Sequence, residues 1–274
     1  MREINMIDMT EKYVESLNGR TCYWISRPEG GGAARCLVFL HGMTADHTLF
    51  EKQLEFFYAD FTVLAWDAPA HGRSRPYRDP AYANAVGELE RILAAENITR
   101  AVFIGQSMGG FHTQSFLTRH TETVEGFVGI DTCPYGEGYY SRSDRWWLRQ
   151  VGWMSRLYPL RILKRSIAKA AAVTGYAREN MLRALAPYGK EELCRLMGLG
   201  FAGFLEENRD LRITCPVVLI AGERDGIGKA RQYNRAWHEH TGFPLYWVKQ
   251  AGHNANCDNP VEVNRIIAEF IAGL

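Results

Sequence analysis

Seven short apolar runs, at residues 21–26, 36–40, 61–66, 101–105, 126–130, 217–221 and 245–248, set the strongest limit on what this chain can fold into. Each is four to six residues long and nearly continuous in apolar side chains. That length suits a strand, and continuity without alternation means that both faces are covered. The segments between them, at about 49–58, 82–95, 108–119, 229–241 and 261–272, read as helices. Strands alternating with helices imply an α/β fold with a mostly parallel central sheet flanked by helices.

The alternation fails once. From about 134 to 208 no strand-like run appears, and the stretch is rich in Trp, Tyr, Leu, Arg and Ala. It reads as several helices. The simplest arrangement is a core of residues 1–133 and 207–274 with a helical lid, 134–206, inserted between two strands of one sheet. A glycine-rich turn, Pro28-Glu29-Gly30-Gly31-Gly32-Ala33-Ala34, joins the first two runs.

Composition narrows the function classes. Among 274 residues, 32 Lys+Arg stand against 31 Asp+Glu, a net charge of +1. That balance argues against a nucleic-acid partner and against an acidic solvating tail. With 46% apolar and 23% charged residues the chain has the makeup of an ordinary globular protein. No run approaches the roughly 18 apolar residues that would cross a bilayer. The first residues, Met1-Arg2-Glu3-Ile4-Asn5, carry charge where a secretion signal would be apolar. The six cysteines, 22, 36, 133, 194, 215 and 257, show neither a C-x-x-C pair nor zinc spacing with histidine. The expectations are reduced thiols, a cytoplasmic location, a small-molecule substrate, no metal or cofactor, and no stable membrane insertion. A homodimer is compatible with them.

The most informative turn is Gly105-Gln106-Ser107-Met108-Gly109-Gly110, directly after a strand-like run and before a helical pattern. A sharp strand-to-helix turn leaves little room for side chains two residues before and after its centre. Glycines at those places allow it, and the central serine is lifted above the sheet edge with its hydroxyl exposed. The amide of Met108, at the helix start, is left free for a developing oxyanion.

A serine hydroxyl needs a base, and the base needs a third group to orient it. Of eight histidines, His253 follows the last apolar run and precedes the final helix, at the carboxyl edge of the sheet with Ser107. His238 and His240 lie in a helical pattern and are read as solvated. His112, one turn beyond Ser107, packs or lines the pocket floor. For the acid, Asp225 ends the penultimate run in Gly222-Glu223-Arg224-Asp225, with Glu223 and Asp131 as alternatives. In His41-Gly42-Met43 the glycine lets the chain turn and present the Met43 amide toward Ser107. His41 and Asp46 are assigned to holding that loop. Asp67 and His71, in Asp67-Ala68-Pro69-Ala70-His71-Gly72-Arg73-Ser74, are read as a structural hydrogen-bonded turn.

These segments together resemble the α/β-hydrolase superfamily, specifically its lid-bearing esterase, lipase and carbon–carbon hydrolase members, over nearly the whole chain. The resemblance implies Ser107 as nucleophile, Asp225 as acid, His253 as base, and the Met43 and Met108 amides as oxyanion hole. Asp225-Gly226-Ile227-Gly228-Lys229 departs from it, since relatives often follow the acid with an apolar residue and a proline. A serine nucleophile argues against dehalogenase and epoxide hydrolase chemistry. Tyr139, Trp146 and Trp147 in the lid, with His112 below, are expected to line an apolar substrate pocket, the lid arginines facing outward. The leading expectation is a serine hydrolase cleaving an ester of a small or medium apolar acid. The alternatives are a carbon–carbon hydrolase, a perhydrolase or a lyase on the same triad, and a slow-turnover ligand sensor.

Overall fold

The computed structural model describes residues 9–29 and 34–274. Residues 1–8, with the charged start, and 30–33 of the glycine-rich turn lie outside the described residues. The apolar runs become strands of one eight-stranded sheet: β1 (Thr10–Ser16), β2 (Gly19–Ser26), β3 (Cys36–Leu40), β4 (Thr62–Trp66), β5 (Ala101–Gln106), β6 (Val124–Ile130), β7 (Val217–Gly222) and β8 (Leu245–Val248). Their order is β1-β2-β4-β3-β5-β6-β7-β8. β2 runs antiparallel to β1 and β4, and all other pairs are parallel.

β3, β4, β5 and β7 are buried at every residue, as continuous apolar runs require. Alternate side chains of β3 feed two cores: Leu37 and Phe39 on one face, Cys36, Val38 and Leu40 on the other. β1 carries no apolar run to announce it. It reads Thr-Glu-Lys-Tyr-Val-Glu-Ser, is largely exposed, and is held by pairing along its full length with β2. Its charges also protect an open sheet edge from pairing with another chain.

The helices are α1 (Glu51–Phe57), α2 (Tyr82–Ala95), α3 (Met108–Leu117), α4 (Arg142–Ser155), α5 (Leu160–Ala171), α6 (Gly175–Leu185), α7 (Lys190–Glu207), α8 (Ala230–Thr241), α9 (Ala255–Asp258) and α10 (Pro260–Ala272). Between β6 and β7 the chain is helical, from α4 to α7. Ser141 starts α4 with a reciprocal capping box to Asp144, and Thr174 caps α6. α4 and α7 meet at Gly152 and Gly198, where backbone touches backbone. Further along, α7 presents Gly200 to the Met43 side chain and Gly203 to the Tyr82 ring. The helical insertion thus rests on the loop after β3 and on the start of α2. No helix among the described residues is long and apolar enough to cross a membrane.

Candidate active site

The carboxyl ends of the parallel strands converge on one edge. Met43 follows β3, Ser107 follows β5, Asp131 follows β6, Asp225 follows β7, and His253 follows β8. This is where open parallel sheets place their ligands.

Ser107 has φ 50° and ψ −114°, a left-handed conformation that a non-glycine residue adopts only when its surroundings impose it. Here its amide donates to Ile130 O at 2.9 Å, and its carbonyl accepts the Thr132 hydroxyl at 2.7 Å and the Gly110 amide at 2.9 Å. A Cβ on Gly109 would overlap the Leu40 carbonyl, and one on Gly105 would come within 2.6 Å of Gly109 and Gly110. The two glycines therefore let α3 start hard against β5 and β3.

The Ser107 Oγ lies 2.8 Å from His253 Nε2, and His253 Nδ1 lies 2.9 Å from Asp225 Oδ2. With Nδ1 donating to the carboxylate, Nε2 is left to accept from the hydroxyl. Asp225 is buried, and its other oxygen accepts the Ile227 amide at 2.8 Å. The Asp225-Gly226-Ile227 sequence, which lacks the apolar–proline continuation, orients the carboxylate through this backbone bond. Burial works against a charged His253 ring. The charge and hydrogen bond of Asp225 outweigh it and hold His253 above its ordinary value.

Neither the Met43 nor the Met108 amide has an acceptor among the described residues. A Cβ on Gly42 would collide with the Gln106 side-chain oxygen and lie 3.1 Å from the Ser107 Cβ. Glycine there lets the loop after β3 close on Ser107.

The structure brings Ser107, Asp225 and His253 together, and leaves Glu223 exposed. Asp131 is buried beside them. Its Oδ1 accepts the Gly222 amide at 2.7 Å and its Oδ2 the Ala255 amide at 3.1 Å. It bridges the backbone just before Asp225 to that just after His253. Burial, then the neighbouring Asp225 charge, push its pKa well up. Oxygen and nitrogen atoms of Asp131, Asp225 and His253 lie within 4.8 Å of one another. They are committed to backbone amides and to each other, not to an open coordination site.

No sequence pattern announces Gln106. Fully buried, it donates to the His253 carbonyl at 2.7 Å. Only its place beside Ser107 could have singled it out. His41 accepts the Ala68 amide on Nε2 at 3.0 Å and so donates from Nδ1 to the Gly42 carbonyl at 2.7 Å. This buried ring stays neutral, burial lowering its pKa. Asp67 binds His47 at Nδ1, 2.9 Å, and at its amide, 2.8 Å, rather than His71. Burial holds His71 down at about 3.

The expected pocket residues separate. His112 is buried against Trp66 and Tyr82 and lines a small pocket with Met108, Leu196 and Gly200. Tyr139 packs edge-on to His240, on the α8 side. Trp146 and Trp147 do not form a buried roof. They are 53% and 55% exposed and stack edge to face on each other, because α4 turns its glycine face, Gly152, inward against α7. α7, through Gly200, covers Met43 instead.

The sequence model of the alpha/beta hydrolase family matches residues 37–266. The chain is 27% identical over 247 residues to a 2-succinyl-6-hydroxy-2,4-cyclohexadiene-1-carboxylate synthase of Citrobacter koseri, covering 86% of this chain and 93% of that one. It is 25% identical over 256 residues to an uncharacterized hydrolase, YugF, of Bacillus subtilis, covering 86% and 89%. In structure it is similar to carboxylesterase CesB of Bacillus subtilis, with TM-score 0.73, 22% identity and 98% and 93% of the two chains covered. It is likewise similar to the enol-lactonase of Burkholderia xenovorans LB400, with TM-score 0.75, 19% identity and 95% and 100% covered. The chain belongs to the alpha/beta hydrolase family.

Proposed function

We propose that this protein is a serine hydrolase that cleaves a carboxylic ester of a small or medium apolar acid through an acyl-enzyme. The observation that carries this reading is the continuous relay from Asp225 through His253 to Ser107, at 2.9 and 2.8 Å, beside two amides without a protein acceptor. Ser107 Oγ attacks the ester carbonyl while His253 Nε2 takes its proton. Asp225 stabilises the imidazolium, and the Met43 and Met108 amides receive the oxyanion. Collapse expels the alcohol, which takes the proton from His253. Water, deprotonated by the same ring, then releases the acid and restores Ser107. The helical insertion, which reaches the Met43 side chain through Gly200, serves as lid.

A second reading uses the same serine and histidine to remove a proton and eliminate a leaving group. It is the lyase alternative on the same triad, kept because relatives similar to this chain carry a synthase and not a hydrolase name. One set of measurements separates the two. Turnover of p-nitrophenyl esters of graded chain length, with an acyl adduct trapped on Ser107 in mass spectra and lost in Ser107→Ala, supports the esterase. Labelling of Ser107 by a fluorophosphonate without ester turnover or acyl adduct favours elimination. A Ser107→Ala variant that still labels removes Ser107 from both.

A further inference from the structure

Residues 142–169 hold eight basic residues against a single acid, Asp144, in a chain whose total charge is +1. Asp144 is engaged by Lys229 at 2.7 Å, and Arg145 by Glu137 at 3.4 Å. Among the described residues no carboxylate pairs with Arg149, Arg156, Arg161 or Arg165, and all four are exposed. In the same stretch Trp146, Trp147, Trp153, Leu157, Tyr158 and Ile162 are each 50% to 66% exposed. Trp146, Arg149 and Trp153 share one face of α4 at i, i+3 and i+7, and Leu157 follows Trp153 at i+4. The chain then turns into α5, whose outer stripe is Arg161, Ile162 and Arg165. A globular surface rarely gathers this much aromatic and aliphatic area in water.

The inward side of this layer is already taken, α4 packing on α7 through Gly152 and Gly198. What remains is the outward side of α4 and the α4–α5 turn, where exposed indole, phenol and aliphatic groups are interleaved with guanidinium groups that no carboxylate pairs among the described residues. That interleaving suits the boundary of an anionic bilayer. Indole and phenol rings favour the headgroup level, with an apolar body and a polar edge, while arginines reach the phosphates along their own stems. A protein partner with one apolar groove would leave the arginines between the rings unmatched unless it were acidic throughout. An acidic lipid surface matches both at once.

We propose that the outer face of α4 and the α4–α5 turn docks reversibly, in the plane of the membrane, on a bilayer rich in anionic lipid. On α7, Gly198 meets α4 while Gly200, two residues on, meets the Met43 side chain, so docking of the outer face of α4 needs no catalysis.

The test is flotation with vesicles, on the Ser107→Ala full chain so that turnover plays no part. Vesicles of phosphatidylcholine alone are compared with vesicles carrying about 30% phosphatidylglycerol, at low and high salt. The expected result is binding to the anionic vesicles at least about tenfold tighter than to neutral ones, weakened by salt. Brominated lipid should quench tryptophan emission only in the bound state. Trp153→Ala/Leu157→Ala and Arg149→Glu/Arg156→Glu/Arg165→Glu should each abolish binding while leaving the melting temperature and circular dichroism unchanged, because every replaced side chain is exposed. Absence of binding to anionic vesicles, or equal binding to neutral ones, overturns the proposal. So does retention of binding by both variants. Sedimentation showing a dimer that Trp153→Ala/Leu157→Ala dissolves, with no vesicle binding, assigns the face to a second copy of this chain instead.

Discussion

The Gln106 side chain, one residue before Ser107, donates to the backbone carbonyl of His253 at 2.7 Å. Its oxygen meanwhile faces Gly42, which a side chain there would strike. One buried amide therefore sits between the loop after β3, the turn after β5 and the loop after β8. Those three segments carry Met43, Ser107 and His253.

Gln106→Ala is expected to lower kcat about 10- to 100-fold with a small change in KM, because it loosens the geometry of His253 and not the hold on substrate. The stability loss should be about 1–3 kcal/mol, from the unsatisfied His253 carbonyl. Steady-state kinetics beside a denaturant melt checks both. A KM rise with unchanged kcat contradicts the positioning role.

Asp225 and Asp131 should part company on substitution. Asp225→Asn removes the charge that, in the proposed reaction, orients and stabilises the His253 imidazolium. Ester turnover is expected to fall about 10³- to 10⁴-fold with a nearly unchanged melt. Asp131 instead bonds the Gly222 and Ala255 amides. Asp131→Asn keeps one acceptor and turns an N–H toward the other amide. It should cost about 1–3 kcal/mol of stability and only about tenfold in kcat. The reverse ranking of the two kinetic losses would make Asp131 the acid.

Much of the framework was legible because burial on both sides forces continuous apolar runs. β3 at 36–40 and α2 at 82–95 fall where periodicity puts them. β1 was not legible, since an edge strand exposed to water needs no apolar residues and is fixed by β2 across a tight hairpin. Ser107 and His253 stood out through glycines and strand ends, which are sequence features. Gln106 and Asp131 act through backbone groups distant in sequence, and no local pattern announces such bonds. Trp146 and Trp147 misled for a related reason. Aromatic density says that a surface is apolar, but which way α4 faces was decided by Gly152 meeting Gly198.

Asp67 should be a stability residue with an acid-sensitive signature. It is fully buried and accepts from His47 twice and from the Arg73 amide at 2.6 Å. Burial alone would raise its pKa, but the His47 hydrogen bond and charge outweigh it and hold the carboxyl below its ordinary value. A depressed folded pKa means that its contribution is complete above the unfolded value, about 3.9, and fades as pH falls through the folded one. Asp67→Asn is therefore expected to lose about 2–4 kcal/mol near neutral pH, and the gap to wild type should close in strong acid. Urea melts at several pH values measure it. A gap that stays constant into strong acid would show that the charge of Asp67 is not what stabilises the turn.

The pH profile of the reaction tests the charge on His253. In the proposed reaction the ring must be neutral to take the Ser107 proton, so kcat/KM should rise with pH through the pKa of the free enzyme. Burial favours the neutral ring, yet Asp225 raises the pKa above the ordinary 6.5. The acid limb for a non-ionising ester is accordingly expected to have its midpoint above 6.5. In Asp225→Asn the raising charge is gone and burial remains, so the midpoint should move downward even as the plateau collapses. The rate of fluorophosphonate labelling of Ser107 follows the same ionisation and can be read where ester turnover is too slow. A midpoint that Asp225→Asn leaves in place would show that the limb reports some group other than the His253–Asp225 pair.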